Sequence, residues 1–262
     1  MALNRNIKYK SKWLLAYFSK KRKLWRDFYP SEKKVFKKIF AQTRSLGDVL
    51  DVGCACGGLG RALSSTFKLD SYTGVDINSE LIRFARKDIK SGIKCDFFCG
   101  DILDLKFTKD FDTVVSLSCA DWNIEVEKMV RACWRRVKLG GYFVISLRLT
   151  GGRGVNDIRR SFQYIGQDDP GAKPEIANYV VFNLREALSL MKGLSPKPGL
   201  IGAYGYWGKP SPTAVTAFKK LVFAVFYLKK GAARQGRLEL DLPKDFIRSA
   251  AGKLNEKEVL KR

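Results

Sequence analysis

The chain has 262 residues, 45% of them hydrophobic, which is enough to bury one sizeable core and a small appendage. It carries 49 Lys and Arg against 26 Asp and Glu, for a formal charge of +23, and it has no histidine, so the commonest general base is excluded. The longest apolar runs, Trp13 to Phe18 and Leu221 to Leu228, fall far short of the roughly 18 to 20 residues that span a bilayer; no transmembrane helix is expected, and without a secretory h-region the expected compartment is the cytoplasm.

The first segment, 1–44, is expected to be a basic, aromatic helical prelude. Between Met1 and Phe40 it holds thirteen Lys and Arg against Asp27 and Glu32, nearly half of the whole excess charge. Trp13, Leu14, Tyr17 and Phe18, then Leu24, Trp25 and Phe28, recur at helical spacing. Pro30 interrupts the run, and Ser31 reads as the N-cap of a second helix carrying Val35, Phe36 and Phe40. Such a field attracts polyanions, so nucleic acid and anionic lipid are candidate partners beside a small anionic substrate.

From residue 45 to 230 short apolar runs alternate with helical periodicity, the pattern of βα units around a mostly parallel sheet. Strands are expected at Val49 to Val52, Tyr72 to Val75, Cys95 to Cys99, Thr113 to Leu117 and Tyr142 to Leu147. Leu59, Leu63 and Phe67 mark one intervening helix, Leu81, Ala85 and Ile89 another, and Val126 to Val137 a longer one. Residues 150–176, rich in Gly, Arg and polar side chains, read as a lid-like loop over the site. Asn183 is expected to cap a helix through Leu188 and Met191, and Leu200 to Trp207 and Leu221 to Leu228 to form late antiparallel strands. The segment 231–262 reads as a charged tail. Cys54, Cys56, Cys95, Cys99, Cys119 and Cys133 lie in strands or a glycine turn, with no CxxC spacing and no histidine beside them; they are expected to be reduced thiols, with no metal bound.

The chemistry concentrates at strand ends. In Val49-Leu50-Asp51-Val52-Gly53-Cys54-Ala55-Cys56-Gly57-Gly58-Leu59-Gly60 an apolar strand runs into a glycine turn that opens a helix, where a ligand can approach bare backbone. Asp51 there suits an ammonium and would repel a diphosphate. Asp76 ends the next strand, placed for ribose hydroxyls. Asp101 follows the third, placed for an adenine amine, with Ile77 and Ile102 positioned to sandwich the ring. Three strand-end acids in this order describe an adenosyl amino acid better than a dinucleotide.

On these residues the stretch from Val49 to Leu147 resembles the class I S-adenosylmethionine-dependent methyltransferases. The resemblance also includes Gly74-Val75-Asp76, Gly100-Asp101-Ile102, Phe111-Asp112-Thr113-Val114-Val115 and Val137-Lys138-Leu139-Gly140-Gly141-Tyr142-Phe143-Val144-Ile145. It implies an α/β, Rossmann-like seven-stranded sheet of order 3-2-1-4-5-7-6 with the last strand antiparallel and helices on both faces. It further implies S-adenosylmethionine as cofactor, with Asp51, Gly53 and Gly57 at the methionine part, Asp76 at the ribose and Asp101 at the adenine; Ala55 stands where the family usually has glycine. The later segments Asn156-Asp157-Ile158, Asn178 to Asn183 and Gly205 to Gly208 are similar to bacterial members of the superfamily.

Transfer of a methyl group from a sulfonium is an in-line displacement, which asks the protein to align the partners and exclude water. The end of the fourth strand, Ser118-Cys119-Ala120-Asp121-Trp122-Asn123, faces the expected methyl position. Ser118 is expected at the cofactor, Asp121 as base or acceptor-orienting acid, and Trp122 and Asn123 at the acceptor. Arg148, Arg153 and Asn156 are further acceptor-binding candidates. The Asn/Asp-Pro-Pro-aromatic signature of amino-nitrogen methylation is missing, which turns the expectation toward oxygen on a small or carbohydrate-like acceptor, with the basic prelude helping to cover the site or to hold an anionic portion of the substrate. Methylation of RNA through the basic prelude, or a non-catalytic role at a membrane surface, are the rival expectations.

Overall fold

The computed structural model describes residues 9, 12–88, 92–166, 175–231 and 236–251. Five parallel strands form the centre: β1 (Asp48–Val52), β2 (Ser71–Asp76), β3 (Lys94–Cys99), β4 (Phe111–Ser116) and β5 (Val137–Thr150). β1 lies between β2 and β4, with Val49 opposite both Tyr72 and Thr113. Its buried run from Val49 to Val52 has no polar alternation apart from Asp51, as a strand covered on both faces requires.

After β5 the chain adds β6 (Phe162–Ile165), β7 (Glu175–Asn178), β8 (Phe182–Asn183), β9 (Pro198–Gly208), β10 (Ala214–Val215), β11 (Leu221–Lys230) and β12 (Arg237–Asp241). The main sheet has the order β12-β9-β11-β5-β4-β1-β2-β3, with β8 paired to the end of β5. The expected order 3-2-1-4-5-7-6 is contained in it as β3-β2-β1-β4-β5-β11-β9, and β11 runs antiparallel to both neighbours. The sheet is nine-stranded rather than seven-stranded because the chain supplies two more strands, β8 and β12.

β12 lies in the segment expected as a charged tail, followed there by α7 (Lys244–Ala251). Leu238 and Leu240 alternate with Arg237, Glu239 and Asp241, so one face packs on the core while the other stays polar. Phe246 of α7 is fully buried in the same core.

Helices cover both faces. On one side α2 (Pro30–Thr43), α3 (Gly58–Ser64) and α4 (Ser79–Asp88) pack Phe36, Leu63 and Ala85 on the sheet. On the other, α5 (Val126–Arg135) and α6 (Leu184–Lys192) contribute Met129, Trp134 and Leu188. Asn183 does cap α6: its side chain accepts from the Arg185 N–H at 2.8 Å, and Glu186 accepts from the Asn183 N–H at 3.0 Å. α2 begins two residues earlier than expected. Pro30 is its first residue, Tyr29 is the N-cap and the Glu32 carboxylate accepts from the Tyr29 N–H at 2.7 Å, so Ser31 lies inside the helix.

The prelude holds α1 (Lys12–Phe18), a 3-10 turn at Trp25–Asp27 and α2; its first eight residues lie outside the described ones. The lid-like segment is not a plain loop. β6 pairs with β7 and with β10 in a small antiparallel sheet, because Phe162, Tyr164 and Ile165 give it strand-forming side chains.

Candidate cofactor and acceptor site

The sheet order reverses between β1 and β4, and the loops that leave the carboxyl ends of β1, β2, β3 and β4 meet in one cleft. The cleft encloses about 820 Å³ open to solvent. Gly53, Ala55, Asp76, Ile77, Asp101, Ile102 and Ser118, all expected at the cofactor, line it. The turn after β1 is pinned to β2 by the Gly53 and Cys54 N–H groups, which donate to the Val75 carbonyl at 2.8 and 3.0 Å. Gly53 has φ +82°, and a Cβ there would stand 2.3 Å from the Cys119 sulfur, so glycine is required both for the turn and for the approach of the β4 loop.

Asp76 is held at the strand end by two backbone donors. The Ala55 N–H donates to Oδ2 at 2.9 Å and the Asn78 N–H to Oδ1 at 2.9 Å. Burial nevertheless pushes its pKa up, the two hydrogen bonds offsetting part of that cost. Ala55 takes φ 47°, the left-handed conformation its usual glycine would adopt freely. The Asp101 side chain accepts from the Leu103 N–H at 3.0 Å, which fixes the turn after β3.

A second cavity of about 470 Å³ adjoins the first through Gly53, Ala55 and Ser118. Asp51 lines this one, receiving the Tyr72 hydroxyl, and burial raises its pKa to about 7. Arg22 faces it from the prelude, and its cation pulls the Asp51 pKa back down. Arg22 has φ 57° and is locked by Glu32, whose carboxylate it meets at 2.9 Å, and by the Phe28 ring, 4.6 Å from the guanidinium carbon. Gly57, expected at the cofactor, lines neither cavity; a Cβ there would press 3.0 Å from the Phe97 ring, so this glycine serves packing of the β3 side chain.

Of the expected acceptor residues, Trp122 and Asn123 reach the cleft. The others do not. Asp121 sits in a 3-10 turn (Ala120–Trp122) that carries its side chain inward, where Oδ2 pairs with the Arg148 Nε at 3.1 Å, both side chains being 6% exposed. A buried carboxylate must find a counter-charge; Arg148 supplies it, also donates to the Asp121 and Val180 carbonyls, and stacks 3.5 Å over the Tyr179 ring. Asp121, expected as the base, and Arg148, expected at the acceptor, thus face each other and do not line the cleft. Asn156 accepts from the Asn178 side chain at 2.8 Å behind the cleft, and Arg153 points to solvent.

The prelude, expected to help cover the site, supplies its roof, through residues not singled out for the site in the sequence. Tyr9, Leu14 and Phe18 line the cleft from above, with the Tyr9 ring edge-on to Trp122 at 6.4 Å. The Asn78 side chain donates to the Tyr9 carbonyl at 3.1 Å, and Leu14 packs with Leu81, Ile165 and Ala177, joining the prelude to the small sheet across the opening. The aromatic spacing of the prelude gave the elements but not which cavity they close. The Cys119 thiol also lines the cleft; burial and nearby acids push its pKa well up, so it stays a protonated, weakly nucleophilic thiol. All six cysteines are free.

The family model described as "Methyltransferase domain" matches residues 49–141, the segment that holds the strand-end acids and the glycine turn, and this segment is a methyltransferase domain. A crystal structure of an S-adenosylmethionine-dependent methyltransferase from Clostridium acetobutylicum has the same fold, with a TM-score of 0.53 and 18% identity over 80% of this chain and 96% of that one. Among curated proteins, the chain is 36% identical over 98 residues to the fatty-acid O-methyltransferase of Mycolicibacterium smegmatis, covering 37% of this chain and 35% of that one. It is 26% identical to the malonyl-[acyl-carrier protein] O-methyltransferase of Priestia megaterium, with 37% and 35% covered. The chain thus spans about a third of the length of these relatives.

Proposed function

We propose that the protein transfers a methyl group from S-adenosylmethionine to an oxygen of a small acceptor with an apolar body, within the cytoplasm. The observation that carries this reading is the convergence of Asp51, Asp76 and Asp101, each at or just beyond the carboxyl end of a parallel strand, on two joined cavities that run along the glycine turn. In this reading Asp76 accepts from ribose hydroxyls and Asp101 from the adenine amine, while Ile77 and Ile102 flank the ring. Asp51 faces the ammonium of the methionine part, and Arg22 its carboxylate. When bound, the cofactor would supply a methyl on a positively charged sulfur to an acceptor oxygen that arrives already ionised, as a carboxylate or phenolate whose proton has gone to solvent, so that no protein base is needed.

The protein's part is alignment and exclusion of water. Tyr9, Leu14, Phe18 and Trp122 wall the acceptor side with apolar surface, and the Asn123 amide is the polar group beside them. This lining suits an acyl or aromatic body better than the carbohydrate-like acceptor also expected from the sequence. Burial raises the Tyr9 pKa, so its hydroxyl acts as a hydrogen-bond donor that orients the acceptor rather than as a base. Two relatives named as O-methyltransferases support oxygen as the target.

Calorimetry tests the cofactor assignment directly. Heat is expected with S-adenosylmethionine and with its demethylated product, and none with nicotinamide dinucleotide; the reverse pattern refutes it. Methyl transfer is then read on carboxylic acids and phenols against matched amines, where label appearing on the amines alone would overturn the choice of oxygen.

A further inference from the structure

Beyond this activity, we infer that the prelude docks the protein on an anionic lipid surface through the tip between α1 and α2. The tip is built to present apolar side chains outward. Asp27 accepts from the Lys23 and Leu24 N–H groups at 3.1 and 3.0 Å, closing a tight turn. That turn sends Trp25 inward against the Phe67 ring at 5.0 Å and buries Phe28, while Leu24 stays 46% and Tyr29 50% exposed. Tyr17, on α1, is 38% exposed.

Around these lie Lys12, Lys20, Lys21, Arg26 and Lys37, none within ion-pair distance of a carboxylate among the described residues, although Lys23, Lys34 and Lys38 of the same segment are paired with Asp88, Asp241 and Glu239. Cations without a carboxylate at ion-pair distance, in the same segment as exposed Leu and Tyr, complement a negatively charged interface that also has an apolar interior.

Binding of single-stranded nucleic acid relies on open aromatic faces for bases to stack on, and the two tryptophans of the prelude are not open: Trp13 is stacked on Tyr17 at 4.9 Å and Trp25 is packed between Phe28, Phe36 and Phe67, which leaves Tyr17 and Tyr29 as the exposed aromatics there. Because Leu14 and Phe18 of the same segment roof the cleft, docking by the tip sets the cleft mouth beside the lipid phase, from which an amphiphilic acceptor can enter.

Flotation of the full chain with vesicles of phosphatidylcholine, alone or with phosphatidylglycerol, tests this without any acceptor and therefore independently of the methyl-transfer reading. Binding is expected to the anionic vesicles alone and to weaken as salt rises. The double variant Lys20→Glu, Arg26→Glu should lose at least about tenfold in partitioning, and Leu24→Ser should lose several-fold at unchanged charge. The matched control Lys106→Glu, Lys197→Glu changes net charge equally elsewhere on the surface and should keep most of the binding. Each variant should show the far-ultraviolet circular dichroism and the thermal unfolding midpoint of the parent, which establishes that it is folded. Equal losses in the tip and control variants, no flotation with anionic vesicles at low salt, or tighter binding to RNA or to an acidic protein than to vesicles would each overturn the inference.

Discussion

Asp51 and Asp121 are both buried acids, and their surroundings give them opposite tasks. Asp51 has a hydroxyl donor and a cavity in front of it, and its pKa of about 7 lies above the value it has in an unfolded chain. A folded-state pKa raised in this way contributes stability that is fully present below the unfolded value and is lost as pH rises through about 7. The free protein should therefore lose stability from about pH 4 to pH 7. Over the upper part of that range its affinity for the cofactor should rise, because the carboxylate and not the acid pairs with an ammonium. Calorimetry across this range checks both, and Asp51→Asn should flatten the pH dependence and weaken binding at the alkaline end. Asp121 faces Arg148 instead of a cavity. Asp121→Ala leaves a buried guanidinium without its partner and should cost about 3–5 kcal/mol of stability, read by denaturant unfolding; an unaltered unfolding midpoint together with lost turnover would restore the catalytic assignment.

Among the elements, the prelude is the one whose role the tertiary contacts define. Its turn and helices are attached by Trp25 on Phe67, by the Lys23–Asp88 ion pair at 2.7 Å, and by Arg22 clasped to a buried Glu32. Arg22 holds a left-handed backbone that costs a non-glycine residue of order 1 kcal/mol, and what it reaches from there is the cavity that Asp51 lines. Arg22→Gln should weaken cofactor binding by about ten- to a hundredfold, the worth of hydrogen bonds to a charged group. Turnover at saturating cofactor should change much less. A kcat loss at unchanged affinity would place Arg22 on the acceptor side instead.

At the scale of the whole molecule, the sheet extends past the segment matched as a methyltransferase domain and ends in the strand and helix near its carboxyl end. Phe246 closes the core there beside Trp207, whose ring it meets edge-on at 5.5 Å, while the Trp207 indole N–H donates to Asp245 at 3.0 Å. Phe246→Ala should cost about 3–5 kcal/mol, measured by thermal or denaturant unfolding. A negligible loss would mean that this end is an attached tail. No helix among the described residues is long and apolar enough to cross a membrane.

The sequence by itself determined the parallel centre of the sheet, the glycine turn and the strand-end positions of the acids, because these depend on local features: apolar runs of strand length, glycine where φ is positive, and carboxylates at or just beyond the carboxyl end of each strand. It also carried the late antiparallel strands, as apolar runs of strand length, and their order in the sheet through the family resemblance. It did not determine that Asp121 turns inward to Arg148, since the two are 27 residues apart and a local acid at a strand end reads the same whether it faces a cleft or a buried cation. Nor could it place Tyr9, Leu14 and Phe18 over the cleft or Arg22 beside Asp51, because helical spacing reports which face of a segment is buried and not what covers it. Those assignments came from packing between segments distant in sequence, which tertiary structure alone decides.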